Sequence, residues 1–203
     1  MLLQINDTKP EMGKIAIVRN CLLKGGIIIY PTDTIYGIGC DIKNRGVLER
    51  ICRIKNIPLK KANFSFVCYD LADLSKYAKA ISTPLYRILK SHLPGPYTFI
   101  MQASKETPAL LQSKKHTVGI RVPDNMIARA IVKEMGGPLL STSLPGELVE
   151  EYTNPEVIYR RFQKLVDIVI DGGPGGIVPS TVIDCTGDDY ELIRSGAGKW
   201  LEE

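Results

Sequence analysis

Short runs of aliphatic and β-branched residues alternate along the chain with segments whose apolar residues recur at helical spacing, and this alternation constrains the fold most. Ile27 to Tyr30 is apolar throughout, as in a strand buried inside a protein. Residues 10–24 and 44–55 carry apolar side chains every three or four positions, as in helices packed on one face. No internal repeat or low-complexity segment interrupts the pattern. We therefore expect one α/β core, with helices packed against a mixed sheet.

Residues that favour helix ends sharpen these boundaries. Asn44 and Asp124 are predicted N-caps, while Gly25 and Gly136 follow the ends of helical segments. The predicted helices are 10–24, 44–55, 70–79, 82–95, 124–137 and 154–166. The predicted strands are 27–30, 64–70, 97–103, 118–123, 138–144, 167–173, 180–186 and 190–196.

The composition argues against several classes of protein. No apolar stretch is long enough to span a membrane, and the N-terminal residues lack the apolar centre of a signal peptide, so we expect a cytoplasmic protein. The five cysteines are scattered and not at metal-ligand spacing, which predicts reduced thiols without a disulfide or zinc site. A net charge of +4 is compatible with an RNA or nucleotide partner without requiring one.

Three segments place hydroxyl groups beside an apolar strand: PTDT at 31–34, STS at 141–143 and PST at 179–181. Hydroxyl and main-chain N–H groups can bind carboxylate, bicarbonate or phosphate oxygens without the burial of a full charge. Each segment taken alone is more typical of a side-chain-to-backbone turn. Their repetition favours a pocket for a small anionic substrate.

Three cations are candidates for the same pocket. Arg121 and Arg194 lie on predicted strands, where a planar guanidinium could bind a carboxylate or phosphate or could pair with a structural acid. We favour ligand binding for Arg121 and leave both alternatives open for Arg194. Lys55, at the end of a predicted helix, could meet a phosphate or remain a solvated lysine at the negative end of the helix dipole.

Other motifs give little support to covalent catalysis or a standard nucleotide loop. The segment DGGPGG at 171–176 lacks the spacing of a P-loop and of a dinucleotide-binding fold. His92 and His116 have no nucleophile or metal ligand close in sequence. The candidate pocket is therefore predicted to act by positioning and charge stabilisation, and no catalytic residue is assigned.

Five motifs together resemble the YrdC/YciO family: GGIIIYPTDTIYGIGCD, LPGPYTFIM, TVGIRVPDN, STSL and PSTVID with LIRSGAG. They occur in this order along the chain, and the match runs from about residue 10 to 198, which we take as the domain. The resemblance implies a YrdC-like fold, a twisted, mixed parallel and antiparallel open sheet with flanking helices and a concave basic surface. It also implies association with nucleotides and with double-stranded RNA or tRNA.

The best-known activity of the family joins L-threonine, bicarbonate and ATP, with Mg²⁺, into L-threonylcarbamoyl-adenylate for tRNA modification. The resemblance implies threonine-binding roles for Thr34, Arg121 and Ser180. It implies ATP-binding roles for Lys55, Asn63, Thr117, Ser143 and Arg194, and no resident metal.

The chain departs from the synthases in this family at two motifs. Their Lys-x-Arg motif is replaced by Lys55-Asn56-Ile57, and their Ser-x-Asn motif ends at Pro145; Cys68 stands where a histidine is common. In these positions the chain resembles the YciO branch of the family. Without the arginine guanidinium, a charge-assisted hydrogen bond to the triphosphate is lost, which is worth about 1.5–3 kcal/mol.

Two hypotheses remain open from the sequence. One is an enzyme of L-threonylcarbamoyl-adenylate synthesis or turnover. The other is a non-catalytic RNA- or ribosome-binding module, favoured by the basic segment RIKNIPLKK at 53–61.

Overall fold

A computed structural model of the protein describes residues 1–59, 62, 64–108, 116–145 and 152–200. The strands are β1 (Leu2–Gln4), β2 (Ile28–Tyr30), β3 (Gly37–Asp41), β4 (Ser65–Val67), β5 (Tyr97–Gln102), β6 (Thr117–Arg121), β7 (Leu139–Ser143), β8 (Ile168–Asp171), β9 (Thr181–Asp184) and β10 (Glu191–Arg194). The helices are α1 (Met12–Leu23), α2 (Arg45–Lys55), α3 (Leu71–Tyr77), α4 (Thr83–His92), α5 (Met126–Met135) and α6 (Pro155–Phe162).

The strands form one open sheet in the order β1-β8-β2-β3-β7-β4-β6-β5-β9-β10. Strands β1, β8, β2, β7, β5 and β9 run in one direction, and β3, β4, β6 and β10 run in the other. The mixed open sheet with flanking helices is therefore confirmed.

Apolar side chains alternate between the two faces of the sheet, and helices cover both faces. On β2, Ile29 points into a cluster with buried residues of α2, α3, α4 and α6. Its neighbours Ile28 and Tyr30 point into a second cluster with α1 and α5. Since successive strand residues face opposite sides, a run of apolar residues on this strand serves both layers.

The structure contains two strands that the sequence pattern did not predict. Strand β1 pairs in parallel with β8 through the first residues of the chain. Strand β3 has the sequence GIGCD and lies between β2 and β7. Glycine disfavours strands, but a Cβ on Gly39 would lie 2.9 Å from Leu139 and 3.0 Å from the ring of Tyr30, and a Cβ on Gly37 would lie 3.1 Å from Oγ of Ser141.

One predicted cap was wrong by one residue. Helix α5 is capped by Asn125, whose side chain accepts the backbone N–H of Ala128 at 2.9 Å. The backbone N–H of Asp124 instead donates to Asp33. Asn44 does occupy the N-cap position of α2, but its side chain makes no capping hydrogen bond. Gly136 ends α5 in the left-handed conformation, as predicted.

Candidate functional site

A row of small residues crosses four neighbouring strands on one face of the sheet. Gly39 pairs with Ser141, Ser141 with Ser65, and Ser65 with Gly119. We call these four residues the small-residue row. The residue beside each of them along its strand belongs to the apolar cluster of the opposite face: Ile38, Leu140, Phe66 and Ile120. The row therefore lies on the face where α1 and α5 pack farther along the sheet.

Tyr30 packs against the end of the small-residue row that lies on β3. A Cβ on Gly39 would lie 3.0 Å from the Tyr30 ring, so the ring rests directly on β3. The hydroxyl of Tyr30 donates to Oγ of Ser141 at 2.6 Å. Burial raises the pKa of Tyr30 to about 12, which keeps this hydroxyl protonated. At the other end, Ser65 and Gly119 are partly exposed, so that part of the face remains accessible.

In the PTDT segment, the side chain of Thr32 forms a turn and the side chain of Thr34 contacts Arg121. Thr32 Oγ1 donates to the carbonyl of Ile35 at 2.7 Å and accepts the backbone N–H of Thr34 at 3.1 Å. Thr32 is therefore a turn-forming residue, the simpler of the two interpretations of these hydroxyls. Thr34 is buried, and its Oγ1 faces Arg121.

Arg121 joins the PTDT segment to the end of β6. Its Nη2 donates to Asp33 Oδ1 at 2.8 Å and to Thr34 Oγ1 at 3.0 Å. The other carboxylate oxygen of Asp33 accepts the backbone N–H of Asp124 at 3.1 Å. Nε of Arg121 is buried without a hydrogen-bond partner among the described residues. Arg121 thus has an acid partner, as a structural arginine does. It also keeps N–H donors without partners, as a ligand-binding arginine does.

A second arginine is held by Ser180. Nη2 of Arg194 donates to the carbonyl of Ser180 at 2.7 Å and to its Oγ at 3.2 Å. Ser180 Oγ in turn lies 2.9 Å from Thr98 Oγ1. No carboxylate in the described part of the chain forms a salt bridge with Arg194. Arg194 is exposed, so its positive charge faces solvent and is not balanced by a carboxylate of the described residues.

Thr98 places the two arginines beside each other. Phe99 on β5 pairs with Ile120 on β6, so the next step of the antiparallel register sets Thr98 opposite Arg121. Burial, and then the charge of Arg121, lower the pKa of Arg194, which means that the two guanidinium groups repel each other. We call Asp33, Thr34, Arg121, Ser180 and Arg194 the arginine cluster.

Lys55 and Ser143 form a separate pair near the small-residue row. Lys55 Nζ donates to the backbone carbonyl of Ser143 and lies 3.3 Å from its Oγ. Ser143 pairs with Gly37 at the end of β7. Burial lowers the pKa of Lys55. Lys55 is therefore fixed at Ser143, and is not the freely solvated lysine of the simpler interpretation.

The remaining predicted site residues have no described contact with the arginine cluster. Thr117 lies on the same face of β6 as Arg121 but four residues away, a separation of about 13 Å along a strand. Asn63 lies outside the described residues. Ile57 follows α2 with its backbone N–H bonded to Cys52, and the carbonyl of Pro145 accepts the hydroxyl of Tyr152.

The fold and these contacts can now be compared with known proteins. The Sua5/YciO/YrdC family model, described as telomere recombination, matches residues 20–196. The chain belongs to this family. The protein YciO of Escherichia coli strain K12 is 43% identical over 197 residues, covering 96% of this chain and 94% of that protein. The crystal structure of E. coli YciO superposes with a TM-score of 0.91 at 41% identity, covering 98% of this chain and 97% of that one.

Family members with a named activity or ligand are more distant. A threonylcarbamoyl-AMP synthase of Pseudoalteromonas translucida is 29% identical over 177 residues, which cover 86% of this chain and 94% of that enzyme. The structure of P. abyssi Sua5 complexed with L-threonine has a TM-score of 0.85 at 25% identity, and the match covers 97% of this chain but 57% of Sua5.

Sequence reasoning missed two members of the site. Asp33 lies inside a quoted motif, but nothing in the sequence links it to Arg121, 88 residues away. Thr98 lies in YTFIM, which reads as a core strand. The alternation of that strand was the available signal, because Phe99 and Met101 face the core and Thr98 must then face the opposite side.

Two further features are absent from the described residues, a metal-binding group and a membrane-spanning helix. The described residues contain no group of three His, Cys, Asp or Glu side chains that could hold a metal ion. Within the same residues, no helix has the length and apolar character needed to cross a membrane.

Proposed function

We propose that the protein binds L-threonine, or a carbamate of it, together with an adenine nucleotide, and acts in the synthesis or turnover of L-threonylcarbamoyl-adenylate for tRNA threonylcarbamoyladenosine modification. The observation that carries the proposal is the proximity of Arg121 with Thr34 to Arg194 with Ser180. Two guanidinium groups with one carboxylate leave a net positive charge beside buried hydroxyls. Such a site suits an anion.

The amino-acid part of the ligand would lie at Arg121, Thr34 and Ser180. Arg121 keeps Nη1 for a ligand carboxylate, since its Nη2 is used by Asp33 and Thr34. Thr34 and Ser180 have hydroxyl groups beside the two guanidinium groups. The binding of L-threonine by P. abyssi Sua5, which has the same fold, supports this assignment.

The nucleotide would lie toward Arg194, with Lys55, Ser143, Thr117 and Asn63 as further contacts. In synthesis, a carbamate oxygen would attack the α-phosphorus of ATP while the bond to the departing pyrophosphate breaks. The chain would contribute by aligning the two reactants and stabilising the developing charge. Mg²⁺ would enter with the triphosphate, because the described residues gather no acidic set to hold it. In turnover, water would break the bond between the carbamate and the phosphate of the adenylate, releasing AMP and the threonine carbamate.

Ile57 makes synthesis the more demanding of the two reactions. Lys55 is already bonded to Ser143, and Ile57 offers no donor for a phosphate. Loss of one charge-assisted bond of about 1.5–3 kcal/mol would slow a reaction that depends on the triphosphate by about ten- to 150-fold. Turnover of a preformed adenylate does not require binding of pyrophosphate, so the absence of a cation at position 57 would slow it less.

The test is an assay of both directions. The protein is incubated with ATP, L-threonine, bicarbonate and Mg²⁺ while pyrophosphate is followed, and separately with preformed threonylcarbamoyl-adenylate while AMP is followed. We expect threonine-dependent pyrophosphate release or AMP formation that Arg121→Lys and Arg194→Lys abolish. Arg50→Lys is the matched control, because Arg50 also pairs with a carbonyl and an aspartate but lies on α2. Neither product above background would overturn the proposal.

RNA binding is the rival outcome of the same experiments. If neither reaction occurs, filter binding with structured RNA at increasing salt distinguishes the rival. A steep fall in affinity with salt would indicate phosphate contacts and favour the binding module. Binding that is absent or insensitive to salt would reject it.

A further inference from the structure

We propose that Asp33 sets the charge preference of the arginine cluster, so that Arg121 is reserved for a single carboxylate and polyphosphates are kept away from it. This inference rests on the proposed function, since it assigns the carboxylate to an amino acid and the polyphosphate to a nucleotide. Asp33 is a positioning residue in this account, because it acts through Arg121.

The contacts of Asp33 are those of a fixed counter-charge. One carboxylate oxygen accepts Arg121 Nη2 at 2.8 Å and the other accepts the backbone N–H of Asp124 at 3.1 Å. The side chains of Asp33 and Arg121 are only 9% and 12% exposed. A salt bridge shielded in this way retains far more of its Coulomb energy than one in open solvent.

The position of Asp33 also fixes the orientation of the guanidinium. Both bonds made by Nη2 go to the PTDT segment, to Asp33 and Thr34. Nη1 is left without a partner among the described residues and is therefore the edge that a ligand can use. With Nη2 occupied, Arg121 cannot offer a ligand the two-nitrogen fork of a free guanidinium, so the choice between a carboxylate and a polyphosphate depends on charge.

The two arginines differ in their balance of charge. Arg121 is neutralised by Asp33, whereas Arg194 forms no salt bridge with any described carboxylate. The positive charge without a carboxylate partner is therefore at Arg194, which is also the more exposed of the two side chains. A polyphosphate is therefore expected to bind at Arg194. It then competes less with the amino-acid carboxylate for Arg121.

The test compares two ligands of different charge. Dissociation constants of inorganic pyrophosphate and of L-threonine are measured by calorimetry for the wild type and for Asp33→Asn, at low salt. Removing the carboxylate should tighten pyrophosphate binding by about tenfold and change threonine binding by less than about threefold, because threonine carries no net charge. The gain should shrink at high salt.

Control variants separate charge from structure. Asp33→Glu keeps the charge and should behave as the wild type. Asp33→Ser is a second neutral variant in case the Asn protein does not fold. Asp73→Asn is the matched control, because Asp73 also holds a cation, Lys76, and a backbone N–H, that of Tyr69, away from the arginine cluster. It should leave both dissociation constants unchanged.

The outcomes separate this inference from the proposed function. Tighter pyrophosphate binding in Asp33→Asn, with no threonine binding in any protein, would support the charge role of Asp33 and reject threonine as the substrate. Pyrophosphate binding that weakens, stays the same or changes by the same factor as threonine binding would overturn the charge role, whichever substrate the enzyme uses.

Discussion

The hydroxyl group of Tyr30 reaches across strand β3 and donates to Oγ of Ser141 on β7, at 2.6 Å. The ring lies over Gly37 and Gly39, where any Cβ would approach it at 3.4 Å and 3.0 Å. A buried aromatic ring thus packs beside the small-residue row and leaves too little space for a side chain at Gly39.

Replacing Tyr30 with Phe removes this bond and leaves the Ser141 hydroxyl without its donor. The free energy of unfolding should fall by about 1 kcal/mol, the usual net value of one buried hydrogen bond. Urea denaturation followed by circular dichroism measures it. Tyr86→Phe is the control, because Tyr86 is 45% exposed and its loss of a hydroxyl should cost less than about 0.5 kcal/mol. Equal losses for both variants would show that the bond contributes nothing.

Alkaline pH should destabilise the protein through the same residue. Burial raises the pKa of Tyr30 from 10.0 to about 12, so the folded state holds this proton more tightly than the unfolded state. The resulting stability is fully present below pH 10 and is lost as the pH rises toward 12. Denaturation at a series of pH values should show a smaller alkaline loss in Tyr30→Phe. An unchanged slope would contradict the assignment.

Gly39→Ala should be one of the more damaging single-methyl changes in the protein. Its Cβ would lie 2.9 Å from Leu139, 3.0 Å from Tyr30 and 3.1 Å from the carbonyl of Leu140. Overpacking of this kind costs about 1–3 kcal/mol. Gly13→Ala is the comparison, because Gly13 has nothing within 4 Å of its Cβ position and lies on α1. There a gain of up to about 1 kcal/mol is expected, measured as a shift in thermal unfolding. A tolerated Gly39→Ala would contradict the tight contact.

Ile57→Arg should restore the cation that the synthases of this family carry. If the nucleotide lies near Lys55, a guanidinium two residues later should raise threonine-dependent pyrophosphate release by about tenfold or more. Ile57→Met is the control for side-chain size without charge. The initial rates of the three proteins decide the question, and equal rates for the Arg and Met variants would show that position 57 does not face the triphosphate.

Most of the fold could be predicted because its signals are local. Asp70 and Ser82 cap α3 and α4 through their own side chains, and Gly136 ends α5, as the residue types indicate. Strand β3 could not be predicted, because its two glycines carry no strand signal and are explained only by Tyr30, Leu139 and Ser141 from neighbouring strands. The α5 cap is Asn125 and not Asp124, because the helix begins at Met126 and the side chain of Asn125 accepts the backbone N–H of Ala128.

The candidate site was predicted as a set of residues but not as a set of contacts. Arg121 and Thr34 are bonded across 87 residues, and Lys55 and Ser143 across 88. The sequence indicates which groups suit an anion, but the arginines are brought together by the pairing of β5 with β6 and by the hydrogen bonds of Ser180 to Thr98 and Arg194. The acid partner of Arg121 could not be deduced, because several carboxylates satisfy the chemistry equally well.

A crystal structure of the protein grown with both L-threonine and ATP is the decisive test of whether Arg121 and Arg194 share one binding site. We expect the threonine carboxylate within hydrogen-bond distance of Arg121 and a phosphate of the nucleotide within hydrogen-bond distance of Arg194, both on the face of the sheet that carries the small-residue row. Ligands bound at separate places, or a threonine that does not touch Arg121, would contradict it.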